Sequence, residues 1–316
     1  MTRGRQRGVA LITAVVLVAL ATVLAVSIGF SSAMTARRST AAYSVEQGLL
    51  FAQGAEALAA YVLKQDKNDK EDSNAEFWTQ PYGPVEIAPE IALEAQLFDE
   101  QGKFNLNTLL NADGTRDEDA IAVFTRLLDL LGLEARWAPK LVDWLDANAL
   151  PESDGGEDSL YSAQMPPGRA GNLTLTSISE LLQFPDFGPD RYRLLAPHVT
   201  ALPPEAVKIN VCMATGFVLD ALYQLAESPS STVEYSSEDG LQQLAKNRKD
   251  ACFPTEATFK DNVRGDKIAN RVSSTTSYFR LHTIVSIGST RFTLYSLMLR
   301  DPSGQIRPIL RTFGTE

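Results

Sequence analysis

The hydrophobic pattern divides the chain into zones of different period. Val9–Phe30 is an unbroken apolar run of 22 residues whose only polar groups are Thr13, Thr22 and Ser27. As a helix rising ~1.5 Å per residue it spans roughly 33 Å, enough to cross a bilayer. No proline follows until Pro81, and Ser31–Lys64 is rich in Ala, Leu, Glu and Gln. These residues favour helix, so the membrane helix is expected to run on beyond the bilayer. Leu50, Gly54, Ala57, Leu58, Tyr61 and Val62 recur at three- and four-residue spacing, a stripe expected to pack on a sheet. Asp66–Asn74 then reads as a solvated, charged turn.

Strand signals come in two blocks. Glu94–Phe98 and Lys103–Leu106 flank Asp99-Glu100-Gln101-Gly102 and read as a hairpin. Ser277–Ile287, Arg291–Arg300 and Gln305–Phe313 are strand-like, joined through Gly288-Ser289 and Asp301-Pro302-Ser303-Gly304. Between the blocks the period is helical. Phe124, Leu127, Leu128 and Leu131 form one face, and Trp137, Leu141, Trp144 and Leu145 the next, with a break at Gly132. Ser177–Leu182 and Arg191–Leu195 flank a turn, and Val218–Ala226 adds a further helix. The fold class expected is α+β: a long N-terminal helix on a small antiparallel sheet, with a large inserted α-helical domain. The expected divisions are a membrane helix at 9–30, a first sheet portion at 31–110, the insertion at 111–275 and the closing strands at 276–316.

Charge narrows the function. The formal net charge is -10, and phosphate binding needs a positive surface, so nucleic acid is a poor partner. Ser177–Leu202 looks somewhat like a helix-hairpin-helix, yet its hairpin FPDFGPD is acidic where phosphate would approach. Arg3, Arg5 and Arg7 flank the apolar run and place that end in the cytoplasm, with the bulk periplasmic or extracellular. An anchored hydrolase would need a nucleophile–base arrangement. His198 and His282, the two histidines, come without a nucleophile elbow or an HExxH pattern. Cys212 and Cys252 lie 40 residues apart, far from any zinc spacing. In an oxidising compartment they read as one disulfide, and otherwise as two buried thiols.

The main chemical constellation is acidic. Asp143-Trp144-Leu145-Asp146-Ala147-Asn148 runs into Pro151-Glu152-Ser153-Asp154-Gly155-Gly156-Glu157-Asp158. Asp143 and Asp146 share a face at a helix C-terminus, where carboxylates oppose the dipole and each other. Gly155-Gly156 lets Asp154, Glu157 and Asp158 fold back toward them. Carboxylates with backbone carbonyls make a hard-oxygen site that suits Ca²⁺ better than Zn²⁺ or Mg²⁺. A solvated acidic loop is the alternative.

Three readings of the N-terminus compete. A cleaved signal peptide would use the weak site Ser31-Ser32-Ala33, but the apolar run is longer than such regions. A plain uncleaved anchor is permitted. The third is a short basic leader, residues 1–8, ending in glycine directly before the apolar helix. That arrangement resembles the type IV pilins and pseudopilins. The resemblance implies cleavage after Gly8 by the prepilin peptidase, methylation of Val9, and a mature chain three units more negative. Most pilins carry Glu at the fifth mature position, where this chain has Thr13. A carboxylate inside the bilayer is costly unless paired, and in pilins it is thought to meet the amine of a neighbour already assembled. A subunit without it suits the first position in a filament.

The run DWLDANALPESDGGEDSLY (Asp143–Tyr161) is similar to the calcium-loop pattern of the K-type minor pseudopilins of the type II secretion system. So are FNLNTLL (Phe104–Leu110), SISELL (Ser177–Leu182), YRLLAPHVTALP (Tyr192–Pro203) and KINV (Lys208–Val211). The resemblance implies a pilin-like fold with an inserted α-domain, bound calcium and a non-enzymatic place at the pseudopilus tip. It implies I- and J-type minor pseudopilins as partners and the major pseudopilin beneath. Secreted cargo and the outer-membrane secretin are further candidates, in a Gram-negative envelope. Asn148 stands where family members often have Asp, and Cys212 where Asn is common, so the disulfide is not implied by the motif. A DNA-uptake minor pilin and an anchored periplasmic enzyme are the alternatives.

Overall fold

The computed structural model describes residues 7–66, 70–227 and 234–314. Most of the expected leader, residues 1–6, lies outside them. A single helix, α1, runs Arg7–Gln65, so Gly8 and Val9 fall at its start. Strands β1 (Tyr82–Ala88) and β2 (Ile91–Asp99) follow. A helical body comes next, with short strands β3 (Phe104–Asn105), β4 (Val199–Thr200), β5 (Ile209–Asn210) and β6 (Val272–Ser273) among its helices. Those helices include α2 (Glu118–Leu130), α3 (Trp137–Leu145), α4 (Asp158–Ser162), α5 (Gly188–Leu195), α6 (Gly216–Leu222), α7 (Glu238–Asn247), α8 (Glu256–Val263) and α9 (Asp266–Ala269). Strands β7 (Tyr278–Ile287), β8 (Thr290–Arg300) and β9 (Ile306–Phe313) close the chain. The sheet order is β1-β2-β7-β8-β9 and every pair in it is antiparallel. The helical body is thus inserted between two neighbouring strands, β2 and β7.

The outer half of α1 lies across this sheet, but on a different stripe from the one its larger residues predict. Of the expected stripe Val62 packs on the sheet, but Leu50, Leu58 and Tyr61 are 62%, 40% and 60% exposed, whereas Ala52, Ala55, Ala59 and Leu63 are buried. Ala52 and Ala55 meet Leu93, Val285 and Leu294; Ala59 and Leu63 meet Leu97, Phe279, Leu281 and Met298. Both stripes obey the helical period, and period does not set phase. Small side chains let the helix axis approach the sheet, and close packing decides the phase. One charge is carried into this interface. Glu56, 4% exposed, accepts from Ser296 Oγ at 2.5 Å and from Arg311 Nε and Nη2 at 2.7 Å each. Arg311→Ala is expected to destabilise the helix–sheet unit by about 2–3 kcal/mol, because it leaves a buried carboxylate without its cation, held by the Ser296 hydroxyl alone. Urea unfolding followed by circular dichroism checks this; an unchanged midpoint would refute the ion pair's role.

The expected hairpin at 94–106 is not formed. β2 pairs with β1 on one side and β7 on the other, while Phe104–Asn105 pairs in parallel with Val199–Thr200. The reason is burial of the supposed turn: Glu100 and Gln101 are 2% and 7% exposed and bind the helical body. Phe104, Leu106 and Leu109 then enter the same core as Phe124, Leu127 and Leu141. The expected boundary at residue 110 therefore moves back to about the start of β3. The Asn side chains of FNLNTLL stitch this region. Asn107 Nδ2 donates to the carbonyls of Leu175 and Leu202 at 2.9 and 2.8 Å, and Asn105 Nδ2 to that of Pro203 at 3.0 Å. Strand β1, on the sheet edge, has no counterpart in the sequence reading, since its exposed residues give no alternation.

In the helical body α2 buries Ala120, Val123, Phe124, Leu127 and Leu128, and α3 buries Trp137, Leu141, Trp144 and Leu145. The helix-hairpin-helix-like segment buries Phe184, Phe187 and Leu195 in this core. Its Arg191 is committed to Glu134 at 2.9 and 2.6 Å. His198 Nδ1 bonds Thr215 Oγ1 at 2.8 Å, and the His282 ring stacks on Tyr295. Cys212 and Cys252 are joined, with Cα atoms 4.7 Å apart. Beside them the buried Arg248 donates to the carbonyls of Phe253, Ala214 and Val211 at 2.5, 2.6 and 2.7 Å. A crosslink over this separation restricts the unfolded chain, so Cys252→Ser is expected to cost about 3–4 kcal/mol. Comparing unfolding midpoints with and without reductant tests it; a reductant-insensitive wild type would remove the crosslink.

Candidate metal centre

The acidic loop begins where α3 ends. Asp146 caps the helix C-terminus, its N–H donating to Val142 O at 2.9 Å. Asp143, one turn earlier, is fully buried. Its carboxylate accepts the Glu152 N–H at 3.1 and 3.0 Å and the Gly156 N–H at 2.7 Å. The loop is thereby folded back over the helix end. Gly155 makes this possible: a Cβ there would lie 2.0 Å from Asp143 Oδ2.

The six sequence-selected residues take different places. Asp143, Asp146 and Glu157 are buried at 0%, 7% and 7% exposure. Burial raises all three carboxyls above the usual carboxylate range. Mutual repulsion adds to this: Asp146 and Glu152 act on Asp143, Glu152 on Asp146, and Asp143, Asp146 and Asp158 on Glu157. Asn148 is exposed, and its Nδ2 donates to Asp146 Oδ2 at 2.8 Å. Asp158 Oδ1 accepts the Ala170 N–H at 2.9 Å and holds the next segment of loop. Asp154 is exposed, at a positive φ of 65°, and forms the loop corner. Arg116 reaches the rim, bonded to Glu152 at 2.7 Å.

Several polar atoms here are buried without a partner: Glu157 Oε1, Tyr161 OH, Trp144 Nε1 and Asn172 Oδ1. Buried polar groups are ordinarily bonded, and two of these oxygens, Glu157 Oε1 and the Tyr161 hydroxyl, belong with the mutually repelling carboxylates, Tyr161 lying within the field of Asp143 and Glu157. The donor set is oxygen-rich and anionic, and it fits a hard divalent cation. Tyr161 escapes the sequence reading because its proximity to Asp143 and Glu157 depends on the loop's return. A second carboxylate group is gathered more tightly: Asp66, Asp72 and Glu76 bring oxygens within 4.8 Å of one another. Arg300 answers that group, donating to Asp72 at 3.1 and 3.0 Å, so its charge is met by a side chain.

The other candidate feature is the apolar half of α1. Val9, Leu17, Leu24 and Phe30 are 61%, 66%, 62% and 69% exposed. The helix has a mean hydropathy of 2.9 in its most apolar window, none of which is buried by the other described residues. It is long and apolar enough to cross a membrane. Thr13 Oγ1 donates to Ala10 O at 3.0 Å, satisfied within its own helix.

A long N-terminal helix, apolar in its first half and laid on an antiparallel sheet in its second, defines a pilin-type subunit, here with a helical domain between neighbouring strands. A family model described as type II secretion system protein K matches residues 102–204. The type II secretion system protein K of Pseudomonas aeruginosa is 32% identical over 328 aligned residues, covering 99% of this chain and 94% of that protein. That of Pectobacterium carotovorum is 33% identical over 230 residues, covering 68% of this chain and 69% of that protein. The structure also matches a chain in the crystal structure of the GspK-GspI-GspJ complex of enterotoxigenic Escherichia coli. The TM-score is 0.67 at 24% identity, with 88% of this chain and 100% of that one covered. The chain belongs to the type II secretion system protein K family.

Proposed function

We propose that this protein is a non-enzymatic minor pseudopilin that sits at the tip of the type II secretion pseudopilus and starts its assembly. The observation that carries the reading is Thr13. In a helix otherwise fit to pack in a filament, the position where pilins hold a carboxylate has a hydroxyl bonded to its own backbone. Such a subunit has no need of a neighbour above it. The helical body supports the same place, since it widens the subunit at one end of the sheet. I- and J-type minor pseudopilins are the partners, as in the assembly named for the Escherichia coli relative, and the major pseudopilin follows beneath. Arg3, Arg5 and Arg7 orient the helix with its N-terminus in the cytoplasm and the bulk in the periplasm. The prepilin peptidase would cut between Gly8 and Val9.

Calcium belongs to the same proposal. Asp143, Asp146 and Glu157 would hold it, with Asn148, Asp154 and Asp158 shaping the loop around them. When bound, the ion supplies the positive charge that offsets their repulsion.

Mass spectrometry of the mature N-terminus is the primary test. Methylated Val9 is expected; an intact Met1, or a cut near Ala33, would overturn the pseudopilin reading. Co-purification with the I- and J-type subunits then tests the tip complex. Its failure, with Val9 methylated, would overturn the tip role alone.

A further inference from the structure

The chain crosses between sheet and helical body twice, after β2 and before β7, and the crossings are adjacent because those strands are neighbours. A buried polar seam joins them. Asp99 is 8% exposed, Thr276 1%, and Asp72 and Asn210 are fully buried. Asp99 Oδ2 accepts the Gly102 N–H, and Oδ1 accepts the Thr276 hydroxyl. Gly102 permits that approach, since a Cβ there would lie 2.6 Å from Asp99 Oδ2 and 2.8 Å from the Met213 backbone. Asn210 Nδ2 donates to Thr276 Oγ1 at 2.8 Å and to the Asp72 carbonyl at 3.0 Å. The Thr276 N–H donates to Asp72 Oδ2 at 2.7 Å.

Charged groups face Asp99 from each side. Asp72 and, beyond it, Asp66 and Glu76 lie on the segment after α1, with Arg300 of β8 bonded to Asp72. Glu100 lies next in the chain, 2.9 Å from Lys103 and 3.5 Å from Arg280 of β7. Arg248 faces from the C-terminal end of α7, donating to three carbonyls. Asp99 itself is bonded by a hydroxyl and a backbone amide. A cleft of about 250 Å³, lined by Trp78, Lys103, Pro197 and Met213 among others, leads to it.

We propose that Asp99 is a proton latch between the helical body and the sheet, fastening the joint when protonated and loosening it when ionised. Thr276 suits both states. Its hydroxyl donates to the ionised carboxylate, and its oxygen can accept from the neutral acid while still accepting from Asn210. Burial pushes the Asp99 carboxyl up to about 7; the bonds from Thr276 and Gly102 oppose the shift, and the charges of Glu100 and Asp72 add to it. The folded protein therefore binds this proton more tightly than the unfolded chain. The joint is firmest below the ordinary carboxylate range and weakens as pH rises through about 7.

The test uses the full chain in detergent micelles. Amide hydrogen exchange at 99–104 and 272–278 is compared at two pH values, one below and one above the latch midpoint, after correction for intrinsic rates. Wild type is expected to lose protection at both crossings by on the order of ten-fold at the higher pH, while α2 and α3 hold theirs. Asp99→Asn should remove the dependence, and Glu76→Gln should keep it. Equal wild-type protection at both pH values, or loss of the dependence in Glu76→Gln, overturns the latch. Should Asp99→Asn misfold, a carboxyl NMR titration of wild type decides. An Asp99 midpoint near 7 supports the latch, and one in the ordinary carboxylate range overturns it.

Discussion

Asp143→Ala is expected to unfasten the acidic loop and to destabilise the helical body by about 3–4 kcal/mol. The Asp143 side chain does two jobs at once. Its oxygens take the N–H groups of Glu152 and Gly156, the latter buried, and both lose their acceptor. It is also one of three buried carboxylates at the candidate metal centre. Asp143→Asn separates the jobs, since one amide oxygen can still accept while the charge is gone. Thermal unfolding should place Asn between wild type and Ala. If both variants melt as wild type does, the loop is not held from α3.

Calcium removal should produce an effect of similar size by a different route. A ligand that binds only the folded state stabilises it by ~3–4 kcal/mol at one hundred to one thousand times its dissociation constant. Chelator added to the purified chain should therefore lower the melting midpoint by several degrees, and calcium, but not magnesium, should restore it. The sign with pH is set by the raised carboxyls of Asp143, Asp146 and Glu157. The ion needs them ionised, so calcium binding releases protons and weakens as pH falls toward the carboxylate range. Asp143→Ala should be indifferent to chelator. An unchanged wild-type midpoint would sink the metal claim and leave the loop held by its hydrogen bonds alone.

The two effects show why the loop was only half legible in the sequence. Carboxylates at helical spacing, followed by two glycines, announce a folded-back acidic turn, and both Asp143 and Gly155 do what that pattern implies. The pattern treats all its acids alike, however. Which carboxylates face inward depends on where the chain returns after Gly156, and that return is set by Ala170 N–H on Asp158 and Asn172 N–H on Trp144 O. Neither contact leaves a trace in local composition.

The sequence by itself determined the membrane-length helix, the three closing strands, the helical block between strand regions, and the residues of the acidic turn. Each rests on local period or composition acting over a few neighbouring residues. Only the tertiary structure decided the rest. It turned α1 onto its alanine face, since close packing and not residue size sets the phase of a helix on a sheet. It drew Asp99–Gln101 out of the expected hairpin and into a buried seam, because their partners Thr276 and Asn210 lie more than a hundred residues away in the chain. It moved Phe104–Leu109 from sheet to helical core for the same reason: burial is settled by which distant surfaces meet, and a local pattern carries no record of that.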